Sequence, residues 1–537
     1  MNYFKRGLIV ALLFFTSSLY AKGLNIMGTD SRSTGLAGAL AGETIGAEAS
    51  FYNPAGFGFL QNQDFFFAYL YSKPYLKFTP DPNDELEEEL SKNPQELSDN
   101  EKKIYYETLY RNAMRDKLIR SVNGNGVYRV NGFDLGVAVP FGAVFSEIKG
   151  LKDAGGFGLT LYSARFDNSI HLPIYTYDNP YYLNYSYRPL ALDLNIGAGV
   201  NLGSIYSPLK GLSIGGGVNI FLNVFANIAA YLPHVPLPDE VKNLTDLESV
   251  GVTFMTDGYV DEPYALTPLA GIQYKVNDQL KLGFTYRSKF YLNVNADAFI
   301  RIRRLSTERE YFVPASVSLK VFYDPDQFCL GGSYKVTNNL EVLVEGDYNR
   351  WSEYIYPFLT ARVKPRDIKD LIDDYLAVLG NPFPIQLTDT IFKPLTIGLS
   401  EKDTEKLKDT FTLRLGVEWK VGDRYIFDFG YYYDQNPVVS QSKSTNLLAA
   451  DTHAFSFAFT YKILTNTFLS FHSQYQYLAE THYEKDSTYS EFYNKNNVLD
   501  PMKKLNRMYN PGYPGYTVGG GYLNIGLTIT KRWGAAE

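Results

Sequence analysis

The sequence predicts an all-β protein: a 14-stranded antiparallel transmembrane β-barrel with an N-terminal plug in its lumen and long, partly helical extracellular loops. Three observations carry this. An export signal is followed by no apolar helix, alternating segments have the length of membrane strands, and connections alternate between short and long. Composition agrees: of 537 residues 45% are hydrophobic and 16% aromatic, with 45 Tyr, 36 Phe and 44 Gly but one Cys. Mean hydropathy is only −0.20, which excludes a helical membrane bundle, and the aromatic content excludes a disordered chain. The formal charge, 51 − 58 = −7, argues against a nucleic-acid partner, which would select a basic patch. Cys329 is alone, so it forms no intramolecular disulfide, and it lies too deep in the chain to be an acylated N-terminal cysteine.

The elements follow in order. Residues 1–21 read as a secretory signal: Lys5 and Arg6 form the charged end, Gly7 to Phe15 the apolar stretch, and Ser17 to Ala21 the cleavage region. The apolar run is far below the ~20 residues of a spanning helix. Residues 22–62 carry Gly28, Gly35, Gly38, Gly42 and Gly46, several alanines and Phe51-Tyr52-Asn53-Pro54-Ala55-Gly56. They show no strand alternation and too little apolar surface to fold alone, so a compact plug (hatch) lodged in the lumen is the economical arrangement.

Residues 63–533 form the barrel. Leu469, Phe471, Tyr475 and Tyr477 alternate with Ser470, His472, Gln474 and Gln476; Phe455, Phe457, Phe459 and Tyr461 alternate with Ser456, Ala458 and Thr460. The polar face is small and scarcely charged, unlike the solvent face of a soluble sandwich, so it suits a lumen with the apolar set against lipid. Such segments fall at 64–72, 126–140, 155–168, 190–203, 212–226, 266–276, 280–294, 313–336, 340–352, 410–420, 425–433, 452–462, 466–478 and 517–533. Within 313–336 the apolar phase flips at Asp324-Pro325-Asp326-Gln327, read as a bulge in one long strand near a membrane boundary. Short turns such as Asn277-Asp278-Gln279, Thr337-Asn338-Asn339, Gly422-Asp423 and Leu464-Thr465 alternate with loops 73–125, 227–265, 353–409 and 479–516. Short turns face the periplasm and long loops the exterior.

Ser98-Asp99-Asn100-Glu101 is a capping-box pattern opening a helical stretch. Ile368, Leu371, Ile372, Tyr375, Leu376 and Leu379 recur at helical spacing. These faces either pack the loops together or form an apolar docking groove. The acidic run Asp84 to Glu89 is solvated or binds cations bridging lipopolysaccharide. Residues 534–537 follow Trp533 as a tail or an expression scar.

Gly35-Leu36-Ala37-Gly38-Ala39, Ala41-Gly42-Glu43 and Asn53-Pro54-Ala55 resemble the FadL family of outer-membrane transporters for long-chain fatty acids and related hydrophobic compounds. The resemblance extends to Ala138-Val139-Pro140, Arg350-Trp351-Ser352, Leu413-Arg414-Leu415-Gly416, Tyr433-Asp434 and Pro437-Val438, nearly the whole mature chain. It implies a 14-stranded barrel with an N-terminal hatch, passive capture in an outer groove, transfer to a lumenal pocket, and sideways exit at a kinked third strand. The 73–125 and 353–409 loops exceed the family's design.

The residues themselves add site candidates. On the third strand, continuing the register of Phe157, Leu159 and Leu161 would aim Ser163 and Arg165 at lipid. Either a kink around Tyr162, Ser163, Ala164 and Arg165 removes the conflict, or Arg165 snorkels. Asn53, Pro54 and Ala55 complete the hatch and gate set. Apolar residues on faces that should be polar are candidate ligand contacts: Phe66, Leu70, Phe221 and Leu343 in the wall, Ile45, Phe51 and Phe57 in the plug. The alternative is plug-to-wall packing. Arg287 and Arg414 point inward, to meet a carboxylate head group or wall carboxylates such as Glu345, Glu418 and Asp428.

None of His171, His234, His453, His472 and His482 stands in a nucleophile or metal-ligand motif, and there is no P-loop. We therefore expect no enzyme, no cofactor and no metal. The expectation is a monomer in the bacterial outer membrane, in contact with lipid and lipopolysaccharide, that passively takes up a hydrophobic small molecule: a long-chain fatty acid first, an aromatic hydrocarbon second. A scaffold for protein secretion or surface assembly is the alternative from another class; a general polar porin is disfavoured by the plug and the lumenal apolar residues.

Overall fold

A computed structural model describes residues 28–44, 46–80, 130–145, 147–148, 154–163, 191–223, 226–228, 231–232, 250–255, 258–260, 264–304, 309–354, 362–365, 395–396, 406–442, 449–484 and 515–534. The strands are β1 (Gln63–Pro80), β2 (Val130–Pro140), β3 (Gly155–Tyr162), β4 (Ala191–Asn201), β5 (Leu212–Asn223), β6 (Ala226–Ile228), β7 (Tyr231–Leu232), β8 (Val250–Met255), β9 (Gly258–Val260), β10 (Tyr264–Lys275) and β11 (Leu280–Arg287). They continue with β12 (Phe290–Arg304), β13 (Arg309–Asp324), β14 (Gln327–Thr337), β15 (Leu340–Asn349), β16 (Arg362–Pro365), β17 (Leu395–Thr396), β18 (Thr410–Val421), β19 (Tyr425–Asp434), β20 (Thr452–Leu464), β21 (Thr467–Glu484) and β22 (Gly515–Trp533).

Fourteen of these close into one antiparallel barrel in the order β1-β2-β3-β4-β5-β10-β11-β14-β15-β18-β19-β20-β21-β22, with β22 returning to pair with β1 from Gln63↔Trp533 to Pro80↔Tyr516. Closure leaves no open edge, which is what a sheet in hydrocarbon requires. The alternation sorts as the sequence predicts: Leu469, Phe471, Tyr475 and Tyr477 of β21 are exposed on the outer wall, while Ser470, His472, Gln474 and Gln476 are buried inside. β1 and β21 run beyond the predicted strand ends, to Pro80 and Glu484.

The fourteen barrel strands include only part of the 313–336 segment. Its first half, β13, leaves the barrel and joins a second sheet ordered β17-β16-β13-β12-β8-β7. The β11–β14 ladder reaches Arg287↔Gln327, and β12–β13 resumes at Phe290↔Asp324 with a register shift before Leu292↔Val321. One long hairpin thus rises from the wall and bends at Asp324 to Gln327, where the phase flip marks the change of sheet. The Asp326 carboxylate fixes this bend, accepting from the Tyr286 hydroxyl at 2.8 Å and the Lys289 amide at 3.1 Å. Tyr323 packs between Tyr291, tilted with its ring centroid 4.9 Å away, and Trp351, edge-to-face at 5.8 Å, and donates to the Arg350 carbonyl at 3.0 Å. Lys289 and Arg350 both pair with Glu353.

Residues from Gly28 to Leu60 sit inside the barrel as short turns around two short helices, Ser31–Gly35 and Ala49–Tyr52, and a 3-10 turn, Pro54–Phe59. Asp30 caps the first helix: the Ser33 amide donates to its carboxylate at 2.8 Å, and the Asp30 amide donates to the Ser33 hydroxyl at 2.9 Å. Gly38, at φ 76°, ends that turn in the left-handed region that glycine enters without cost. The signal, the two predicted loop helices, the acidic run 84–89 and Ile45, Ala164 and Arg165 lie outside the described residues.

Candidate functional site

The hatch rests on a wall from which side chains are missing. Asn53 is fully buried, and its amide nitrogen donates to the carbonyls of Ala41 at 2.7 Å, Ile272 of β10 at 3.2 Å and Phe284 of β11 at 3.5 Å. Its oxygen accepts from the Ala55 amide at 3.0 Å, which starts the 3-10 turn at Pro54. An amide side chain carries both the donor that reaches the wall carbonyls and the acceptor that caps its own turn. A Cβ at Gly215 would overlap Ala55 and Pro54, one at Gly199 would overlap the Pro54 carbonyl, and one at Gly271 would overlap the Asn53 oxygen. A Cβ at Gly42 would likewise overlap the Gly332 backbone of β14. Backbone thus packs directly on backbone. Ser213 adds a hydrogen bond to the Ala55 carbonyl at 2.6 Å.

Beside this footing lies an apolar cluster shared by plug and wall. Phe51, Phe57, Ala47 and Ala49 of the plug meet Phe66, Ala68 and Leu70 of β1, Ala138 of β2 and Tyr162 of β3, with Tyr52 and Leu60 at its border. Phe51 and Tyr162 stand 4.9 Å apart. Five sequence candidates, Phe51, Phe57, Phe66, Leu70 and Tyr162, therefore come together. Leu343 belongs to a second cluster with Leu36, Ala39 and Leu40. Phe221 is buried near the top of β5, its ring 5.3 Å from Phe290.

The third strand breaks where its register would have carried Ser163 into lipid. β2 and β3 pair from Pro140↔Gly156 to Leu135↔Leu161, and among the described residues no rung follows. On either side the neighbouring ladders continue: β1–β2 to Ser72↔Val130 and β3–β4 to Tyr162↔Asp193. Ser163 is fully buried and replaces the missing rungs with its side chain. Its hydroxyl accepts from the Phe133 amide at 2.8 Å and donates to the Phe133 carbonyl, and its own amide donates to the Asp134 carboxylate at 2.6 Å. Sequence reasoning missed Asp134. Its signal was an acid on the lumen face of β2 at the height where β3 loses register. The Ala47, Ala49 and Tyr52 contacts were also missed; they flank Phe51, and nothing in spacing distinguishes them from filler.

Both candidate arginines have partners. Arg414 lies 2.9 Å from Asp347, 3.8 Å from Glu345, and donates to the Ala37 carbonyl of the plug at 2.9 Å. Arg287 donates to the Phe51 carbonyl at 2.5 Å and covers the Phe51 ring at 4.7 Å. Plug charges also dock on the wall: Arg32 pairs with Glu418 at 2.7 Å, and Glu43 with Lys281. Burial opposes the Arg32 charge, but Glu418 and Glu48 outweigh it and hold the guanidinium protonated. Burial pushes the Glu43 carboxyl up, and the Lys281 ammonium pulls against it. His472 Nδ1 meets the Ser31 hydroxyl at 3.0 Å, inside a buried plug contact.

A family model described as outer membrane protein transport protein (OMPP1/FadL/TodX) matches residues 12–500. No protein with a curated description matches the chain. Among solved structures, the chain is similar to the CymD monoaromatic hydrocarbon channel, with 13% identity, TM-score 0.53 and coverage of 95% of this chain and 100% of that one. It is similar to a Pseudomonas aeruginosa FadL homologue, with 13% identity, TM-score 0.53 and coverage of 97% and 100%. It is also similar to the P. putida toluene transporter TodX, with 12% identity, TM-score 0.53 and coverage of 95% and 99%. At these identities the structures speak for the fold.

Proposed function

The chain belongs to the OMPP1/FadL/TodX family of outer membrane transport proteins, and from that premise we propose that it takes up hydrophobic small molecules passively and releases them sideways through the wall beside β3. The observation that supports the route is the break between β2 and β3 after Leu135↔Leu161, next to the apolar cluster of Phe51, Phe57, Phe66, Leu70 and Tyr162. A compound crossing from lumen to lipid there passes apolar side chains on the inside and the exposed Phe157 and Leu159 outside. Release into a bilayer needs no energy input, because the ligand moves down its own transfer free energy. In this reading the hatch, seated by Asn53, Pro54 and Ala55, closes the lumen to water.

A long-chain fatty acid is the substrate class the family resemblance favours. A specific observation favours a second: Arg287 and Arg414 both hold plug carbonyls, and Arg414 also holds Asp347. A fatty acid would exchange one of these bonds for its carboxylate; an aromatic hydrocarbon displaces none. The test is uptake of labelled oleate and labelled toluene by cells lacking their own transporters and displaying this protein at a verified surface level. Entry of either above the empty-vector control supports the channel, and their ratio assigns the class. Ser163→Ala, which removes the hydroxyl that replaces the missing rungs, should lower uptake at least fivefold. Unchanged uptake in that variant would rule out exit at β3.

A further inference from the structure

The barrel has six short connections on its periplasmic side, and two of them differ from the rest. Four carry polar residues at their tips: Asn277-Asp278-Gln279, Thr337-Asn338-Asn339, Gly422-Asp423-Arg424 and Thr465-Asn466, all exposed, the last directly after the exposed Ile463 and Leu464. The β2–β3 and β4–β5 connections are longer, and their described residues expose large apolar side chains beside polar ones such as Glu147 and Lys210. After β2 the chain turns through a short helix, Phe141–Val144, and after β4 through another, Leu202–Ile205, followed by the 3-10 turn Ser207–Leu209. Both turns are closed by their own backbone: the Phe145 amide donates to the Phe141 carbonyl and the Tyr206 amide to the Leu202 carbonyl, each at 2.7 Å. They therefore hold their shape while presenting Val144 at 53%, Ile148 at 50%, Ile205 at 67% and Tyr206 at 62% exposure.

The two turns are neighbours. The Asn201 amide, at the end of β4, donates to the Ala154 carbonyl, at the end of the β2–β3 connection, at 2.7 Å. Their apolar surface also runs into the lipid-facing band: the Phe141 ring stands 6.2 Å from Phe157, which is exposed on the outer wall of β3. A patch of large apolar side chains in water is costly and uncommon, whereas one continuous with a membrane band is stabilised by lipid. Tyr206 and the exposed Lys210 supply amphipathic groups suited to the headgroup level.

We propose that these two turns form an interfacial anchor, immersed in the headgroup and upper acyl region of the inner leaflet of the outer membrane, directly below the sector in which β3 breaks from β2. The occupant is lipid. The anchor fixes that sector of the barrel at a set depth, while the four polar turns stay in periplasmic water.

The single native cysteine makes the test clean. In a Cys329→Ser background, Val144→Cys, Ile205→Cys and Asp278→Cys are each labelled with an environment-sensitive fluorophore and reconstituted in phosphatidylcholine vesicles, and folding is checked by heat-modifiable gel mobility. Brominated phosphatidylcholine should quench the labels at 144 and 205 at least twofold more than the label at 278, and aqueous iodide should show the reverse order. Equal iodide quenching at all three positions in folded protein would overturn the anchor. So would labels at 144 and 205 that respond to iodide but not to brominated lipid, which would place the patch in water, available to a soluble partner.

Discussion

At the scale of single residues, what decides most is where a side chain is absent. Gly215→Ala drives a methyl into the Ala55 and Pro54 backbone, while Gly216, next in sequence, has its nearest such atom 3.9 Å away. We expect Gly215→Ala to destabilise by about 1–3 kcal/mol and to lower the temperature of the heat-induced gel shift. Gly216→Ala should stay within about 0.5 kcal/mol of the parent. A second prediction concerns acid. Burial pushes the Asp409 carboxyl up, but hydrogen bonds from the Tyr348 hydroxyl at 2.6 Å and the Ser352 amide at 2.8 Å outweigh it and leave it below the usual carboxylate range. A depressed folded-state value means its stabilisation is full above the unfolded carboxylate range and fades as pH falls through the folded value. The melting temperature of Asp409→Asn should therefore trail the parent at pH 7, with the gap narrowing only as pH falls below the usual carboxylate range.

At the scale of elements, the proposed route rests on the hatch and on the β2–β3 break, and each can be tested. Replacing Asn53 and Pro54 together by alanine removes four hydrogen bonds and the fixed start of the 3-10 turn. Uptake should fall at normal surface level; unchanged uptake would show that the hatch does not govern passage. The inward apolar residues Phe66, Leu70 and Leu343 were legible because they sit on the wrong face of an otherwise polar alternation, and the β3 conflict because Ser163 follows Leu161 on the lipid side. Asp134 was legible as an inward acid on β2, but its contact with Ser163 was not, since that depends on which β2 residue lies opposite Ser163 after the register is lost. Whether Arg414 meets a ligand or Asp347 could not be read either: both are inward, and only the pairing of β15 with β18 brings them within 2.9 Å.

At the scale of the whole molecule, barrel closure was legible from period and strand length, but the second sheet was not. β12 and β13 carry the same alternation as the wall beneath them, so only pairing partners separate a tall wall from a sheet built on top of it. The bend at Asp326, locked by Tyr286, Lys289 and Tyr323, marks the division. Replacing residues 292–321 with a short turn should leave a barrel with parental heat-modifiable mobility, because β11 and β14 end at Arg287 and Gln327 and pair without the hairpin. Loss of the folded band would show instead that the wall depends on the upper sheet.

The glycine footing carries one more implication. Because the Asn53-Pro54-Ala55 segment fits only where Gly199, Gly215 and Gly271 leave room, hatch and barrel are a matched pair, not interchangeable modules. A chimaera that grafts a foreign hatch onto this barrel, or this hatch onto a foreign barrel, should assemble only when the facing wall positions are exchanged along with it.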